Sequence, residues 1–417
     1  MESVYNIYES LFNLNRSLLG VNNELALNLI KKVVPLKIHK FKSGEECFDW
    51  KIPQEWILKK ATIKNIKGDI VLDVKNNILH VVNCSDSFNG VVKKEDLIKH
   101  LFFDENLPDA IPYRTSYYNK NWGFCMSYNQ FLSLKDDEYV VEIESEFIDS
   151  FLSVGEVKLK GNTNKEIILT SYICHPQQAN DGLSGVIMLM DLYGKLSKVT
   201  NLDYTYKFFF LPETIGTIAI LSKKIIEPKN VEYALVATCV GYGKKIEYKK
   251  TFKNNHSLDN IVSVFFPEVL SKPYEPYGSD ERQFSSPFIQ IPTGVLTREQ
   301  FGKFPEYHTS LDDMNFVDIN LIKETTLFFE KLILKYEKEC KYIFTKDGGE
   351  PMLSKYKLYD VINNTVHPKS SLVKNWILHL SDGRHNVVDM SIKSGFNIED
   401  ISSQINILLE NKLIKTI

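Results

Sequence analysis

Four short stretches of this 417-residue chain set imidazoles and carboxylates just past apolar runs. HPQQANDGLSG carries His175 and, six residues on, Asp181, while PETIG carries Glu213 directly behind YKFFFL. GSDERQF offers Asp280, Glu281 and Arg282, and FPEYHTSLDD offers Glu306, Tyr307, His308, Asp312 and Asp313. Neutral imidazole and carboxylate are the usual non-thiolate ligands of zinc, so two histidines and an acid converging from separate loops have the composition of an N/O metal site. A catalytic zinc site uses three such ligands and leaves a fourth position open for chemistry.

The elements that must bring these loops together are legible from periodicity. From about 136 to 338, near-continuous apolar runs (EYVVEIE, EIILTSY, YKFFFLP, YALVATCVGY, IQIPTGVL) alternate with helical patterns starting near 183, 215, 257 and 318. That alternation predicts an α/β fold with a largely parallel, doubly wound sheet covered on both faces, and ligands of such sheets bind beyond the carboxyl ends of the strands. Residues 3–33 read as two helices. Short alternating segments such as ATIKNI, DIVLDV and NILHVV mark a small β-rich module. KDGGEPML is a turn-rich boundary, and beyond it helix, helix, Gly-containing turn, helix and a short strand read as a winged helix-turn-helix, with Ile401, Ile405 and Leu408 on one helix face. The expected division is 1–54 with 121–343 as the α/β domain, 55–120 as an inserted β-rich domain and 344–417 as the winged helix.

Taken in order, HPQQANDGLSG, PETIG, GSDERQF and PEYHTSLDD resemble the zinc-dependent aminopeptidases that use co-catalytic metals. Together with DWKIPQEW, AIPYRTSYY and WGFC they are more similar to the bacterial aminopeptidase-like relatives with an inserted β domain and a C-terminal winged helix. The resemblance makes His175 a metal ligand, Asp181 the carboxylate that bridges two metals in the wider family, Glu213 the general base and His308 the second histidine ligand. Two departures stand out: Thr214 replaces a metal-binding Glu that follows the base, and Thr238-Cys239-Val240-Gly241 replaces an Asp-Met-Ile-Gly-like ligand strand. Both remove anionic ligands, so one zinc on His175, Asp181 and His308 is expected rather than two, with Asp280 able to restore a ligand. Asp280 otherwise binds a substrate amine or orients a histidine. Arg282 and Arg298 are candidates to hold a carboxylate or sugar acid in bidentate fashion, and Glu281 and Tyr307 complete the candidates for further ligation or substrate contact.

The implied reaction is amide hydrolysis by metal-activated water, with Glu213 moving the proton to the departing amine. The substrate would be a small peptide or an aminoacyl or acylamino glycan precursor, the latter because relatives in this subgroup accompany surface-polysaccharide biosynthesis. The alternative is a non-catalytic metal-binding or regulatory protein whose winged helix contacts protein. Each residue also has a structural reading. A lone histidine is commonly a hydrogen-bonded core residue, Glu213 can cap the next helix, Asp280 can be a turn carboxylate, Arg282 a structural partner of an acid, and Asp312 with Asp313 a solvated turn. The remaining histidines, His367 among them, receive no chemistry.

Composition narrows the field further. A net charge of −3, with 43% hydrophobic and 25% charged residues, argues against a polyanion-binding face. The last helix, EDISSQINILLENK, starts acidic and lacks arginine, so protein contact or homodimerisation is the expected use and nucleic acid is not the expected partner. No run reaches the ~20 apolar residues of a membrane span, and MESVYNIYESLFNLNRSLLG lacks the basic and apolar regions of a secretion signal. A cytoplasmic protein with reduced thiols is therefore expected, since the six cysteines show no C-x-x-C pair.

Overall fold

A computed structural model of the protein describes residues 4–359 and 368–417, so His367 lies outside the described residues. The chain divides into two compact units, residues 1–252 with 272–330, and 253–271 with 331–417.

The first unit is built on a mixed sheet, seven strands of which lie wholly within it. At its centre Glu166–Tyr172 runs parallel to Thr205–Leu211 on one side and to Val231–Ala237 on the other, and Val231–Ala237 runs parallel to Thr293–Thr297. Thr205–Leu211 is buried at every position and Glu166–Tyr172 at all but the first, as befits strands whose two faces are both covered. The outer strands are antiparallel: Phe151–Leu159 pairs with Thr205–Leu211, Lys37–Lys42 with Phe151–Leu159, and Glu247–Lys249 with Thr293–Thr297. The parallel character is thus confined to the core of the sheet. Lys37–Lys42, reading KIHKFK with one buried residue, is a one-sided edge strand.

From Glu166–Tyr172 the chain crosses to Thr205–Leu211, and the following strand, Val231–Ala237, lies on the opposite side of Glu166–Tyr172. The connections diverge there, which makes the carboxyl end of Glu166–Tyr172 a topological switch point. The crossover helix Gly185–Leu196 carries apolar residues almost all round and buries eight of them, as a helix sunk into a core must. Its first residue has no room for a side chain: a Cβ at Gly185 would lie 2.1 Å from the Ala237 carbonyl oxygen.

A second, antiparallel sheet orders Ile70–Asp73, Glu55–Asn65, Glu138–Ile148 and Phe88–Lys93. EYVVEIE therefore belongs to the β-rich module and not to the α/β sheet. Its burial alternates, with Tyr139, Val141 and Ile143 buried and Glu142 and Glu144 outward, which is the pattern of a sheet covered on one face. Ala61, Ile63, Leu72, Val141 and Ile143 form this module's own core.

In the second unit Asp382–Asn386, Lys341–Phe344 and Ile414–Thr416 make a small antiparallel sheet beside helices Lys369–Leu380, Val387–Ser394 and Ile398–Glu410. Ile401, Ile405 and Leu408 are buried in its core as their spacing predicts. The helix Ser257–Phe265 groups with this unit, and Ser257 and Asn260 donate to the Asp389 carboxylate. None of the six cysteines is in a disulfide, and five of them are buried. Among the described residues no helix is long and apolar enough to cross a membrane.

Candidate metal centre

The switch point supplies the first ligand candidate. Ile173 continues the ladder past the strand end by donating to Leu211, and its own carbonyl accepts from Nη1 of the fully buried Arg16 at 3.1 Å. His175 follows, 3% exposed. The chain then turns through Gln177 at φ 46° and breaks helical geometry at Asp181 and Gly182. Gly182 has φ +86°, and a Cβ there would strike the Tyr172 ring at 2.7 Å; glycine alone permits this bend. The break aims the Asp181 carboxylate at the strand end, where Oδ1 accepts from the Tyr172 hydroxyl, itself 2.7 Å from Thr238 Oγ1. His308, also at positive φ, arrives from a distant loop and sets Nε2 2.8 Å from Asp181 Oδ2.

Ligand atoms of His175, Asp181 and His308 all lie within 4.8 Å of one another. Donors around a tetrahedral zinc with bonds of ~2.1 Å sit about 3.4 Å apart, a spacing compatible with an Asp181–His308 distance of 2.8 Å and with all three ligand atoms lying within 4.8 Å of one another. Asp181 Oδ2 and His308 Nε2 are both buried, and neither makes an aligned hydrogen bond. A carboxylate oxygen and an imidazole nitrogen facing each other without an aligned hydrogen bond suit a shared cation. The electrostatics agree. Burial pushes the His175 imidazole down to about 4, leaving it neutral and able to ligate. Burial would raise Asp181, but His175, the ion pair with His308 and the Tyr172 hydroxyl hold it well below the usual carboxylate range.

Glu213 reaches the same place from the neighbouring strand. Its backbone N–H donates to Cys174 Sγ at 3.3 Å, and its Oε2 lies 3.8 Å from His175 Nε2. Thr214 sits at φ 64°, a costly conformation for a β-branched residue. Asp280 holds it there by accepting from Thr214 N at 2.7 Å. Burial, and after it the Asp280 carboxylate, raise the Glu213 carboxyl above the ordinary glutamate range, although its side chain keeps 23% exposure toward the opening.

The other candidates fall into different places. Asp280 is fully buried, stands outside the three-residue cluster and anchors the Glu213 turn. Glu281 forms a buried ion pair with Lys249 at 2.6 Å. Arg298 is spent on Glu324, Thr325 and the Gly243 carbonyl, each at 3.3 Å. Arg282 lines a cleft that also holds Glu213. Tyr307 stacks on His308 with ring centroids 4.0 Å apart. Asp312 is no solvated turn: it is fully buried and accepts from the N–H groups of Asn180 and Asp181 at 2.6 and 2.9 Å, fixing the loop that aims Asp181. Asp313 does cap a turn, accepting from Asn315 and Phe316.

Several participants carry no advance signal. Tyr113, from the loop of the β-rich module, stands edge-on to both His175 and His308 at 5.4 and 5.3 Å and donates its N–H to the His308 carbonyl at 2.7 Å. AIPYRTSYY marked the segment; nothing in its spacing tied it to two histidines far along the chain. Arg16 and Cys174 are likewise visible only once the chain is folded.

Residues 5–339 match a family model described as a domain of unknown function, DUF4910, and residues 341–416 match a winged helix-turn-helix model. A Clostridium acetobutylicum protein provisionally named for polysaccharide biosynthesis and an aminopeptidase-like domain is 37% identical over 99% of this chain and 96% of its own length. A crystal structure from the same organism, provisionally titled a peptidase, superposes with a TM-score of 0.80 at 36% identity, covering 99% of this chain and 96% of that one. A zinc aminopeptidase from Bacillus subtilis, at 12% identity, shares the fold with a TM-score of 0.58 over 80% of this chain and 95% of its own.

Proposed function

We propose, because this chain belongs to the DUF4910 family and shares its fold with a zinc aminopeptidase, that it is a metal-dependent amide hydrolase. Its substrate is a small peptide or an aminoacyl or acylamino glycan precursor, the glycan option following the name of the Clostridium relative. The observation that carries this is the convergence of His175, Asp181 and His308 with Glu213 at the switch point of the sheet.

His175, Asp181 and His308 would hold zinc. One ion is favoured because Asp181 Oδ1 is already taken by the Tyr172 hydroxyl, which in turn is braced by Thr238, leaving Oδ2 as the free oxygen. Zinc, when bound, acidifies water and polarises a carbonyl. Glu213, held beside His175 by Cys174 and the Asp280-clamped turn, takes a proton from water and returns it to the departing amine. Its raised affinity for protons suits that exchange near neutral pH. Tyr113 and Tyr307 flank the histidines.

The test is purified, zinc-loaded protein assayed on a panel of aminoacyl anilides and N-acyl sugars, beside Glu213→Gln. Turnover in the wild type, lost by about 10²–10⁴-fold in the variant while zinc content stays the same, supports the hydrolase. A second reading, a non-catalytic metal-binding protein that uses the winged helix for protein contact, is favoured by Thr214 and Thr238 standing where acidic ligands would serve a second ion. Zinc retained with no turnover on any amide would favour it.

A further inference from the structure

Beside Glu213 opens a cleft of about 310 Å³, a size within the ~300–1,000 Å³ typical of small-molecule sites. Its walls come from separate segments. Trp50 projects from a two-residue hairpin strand, Tyr117 and Tyr118 from the loop of the β-rich module, and Arg282 and Gln283 from the short helix after Asp280. Trp50 and Tyr118 meet edge to face at 5.8 Å yet remain 39% and 51% exposed, so they present ring surface to the cleft's mouth rather than to a core. Arg282 donates through Nε to the Ser279 carbonyl at 3.2 Å, and no carboxylate among the described residues lies within ion-pair distance of its guanidinium. A half-buried cation that feels the charges of Glu213 and Asp280 but makes no close ion pair among the described residues, next to exposed ring edges and the Gln283 amide, is equipped for a ligand with a carboxylate, an apolar face and hydroxyls.

We infer that this cleft is the specificity subsite and that it selects an acylamino sugar bearing a carboxylate: the guanidinium of Arg282 takes the carboxylate while Trp50 and Tyr118 cover the C–H face of the ring. The inference deepens the proposed function and rests on it for the position of the amide near Glu213, but not for binding itself.

Calorimetric titration of the zinc-loaded protein with N-acetylmuramic acid and with N-acetylglucosamine tests it, since both carry an acetamido pyranose and only the first a carboxylate. The acid is expected to bind at least about tenfold more tightly. Arg282→Gln should erase that preference and leave N-acetylglucosamine binding unchanged, Arg282→Lys should restore part of it, and Trp50→Ala should weaken both probes. Melting curves confirm that each variant folds. Equal binding of the two probes to the wild type, binding of neither, or a preference that survives Arg282→Gln overturns the assignment. If the binding pattern holds without hydrolysis of any amide, the catalytic proposal fails and the subsite stands. If neutral amides are hydrolysed with no preference for acids, the reverse is true.

Discussion

At the scale of single residues, the site is marked by buried polar atoms that lack a hydrogen-bond partner, Asp181 Oδ2, His308 Nε2 and Asp280 Oδ2 among them. Asp181 has one oxygen engaged by Tyr172 and the other facing His308 Nε2, while Asp280 gives Oδ1 to the Thr214 turn and keeps Oδ2 buried without a partner. Asp280 also acts at a distance, because its negative charge is the second cause, after burial, of the raised Glu213 carboxyl. Asp280→Asn keeps an acceptor for Thr214 N and removes that charge. Glu213 must be ionised to accept a proton, so activity falls on the acid side of its titration. With the repulsion gone, Glu213 ionises at lower pH, and the acid limb of the kcat/KM profile should move down in pH with zinc content unchanged. The pH–rate profile of the variant is the check, and an acid limb that stays in place or moves up would remove Asp280 from this role.

At the scale of elements, positioning depends on loops that interrupt regular structure and on side chains that hold them open. The loop between Glu166–Tyr172 and Gly185–Leu196 owes its shape to Asp312, which accepts two of its N–H groups in a fully buried setting. Asp312→Ala leaves those two donors unpaired, costing about 1–3 kcal/mol each, and lets Asp181 drift. A lower melting temperature and zinc affinity weakened by about 10–100-fold are expected, measured by calorimetry and competition with a chelating dye. Elements of this kind were the least legible in the sequence. Buried parallel strands such as TYKFFFL announce themselves by unbroken apolarity, and His175, Asp181 and Glu213 announce themselves by following such strands. Asp312 resembles any acid in a Ser-Leu-Asp-Asp turn, since its partners lie more than 130 residues away. The alternation in EYVVEIE did signal a one-faced sheet, but the apolar neighbours Val140 and Val141 also fit a central strand, and pairing with Glu55–Asn65 is a long-range choice. Glu281 and Arg298 look like ligand contacts in sequence because a buried ion pair and a substrate clamp use the same residue types.

At the scale of the whole molecule, the α/β unit, the β-rich module and the winged helix were each recognisable as separate textures, and the fold comparisons agree with the first and last of them. The β-rich module contributes to the site directly, through Tyr113 against both histidines and Tyr117 and Tyr118 in the neighbouring cleft. That contribution is a product of tertiary packing, so no local pattern could foretell it. In the winged-helix unit, Ile398–Glu410 begins with Glu399 and Asp400 in its first turn. Acids there favour the helix N-terminus but repel phosphate.

Everything chemical in this account depends on one cation shared by His175, Asp181 and His308. The direct measurement is metal content by plasma mass spectrometry, joined to zinc K-edge absorption on the same sample, for the wild type and for His175→Ala and His308→Ala. The account predicts close to one zinc per chain in a nitrogen and oxygen shell at ~2.0–2.1 Å, lost in both variants while the fold persists. Zinc that remains in full after both substitutions, a sulfur-dominated shell, or no zinc in the wild type after loading and dialysis would contradict it.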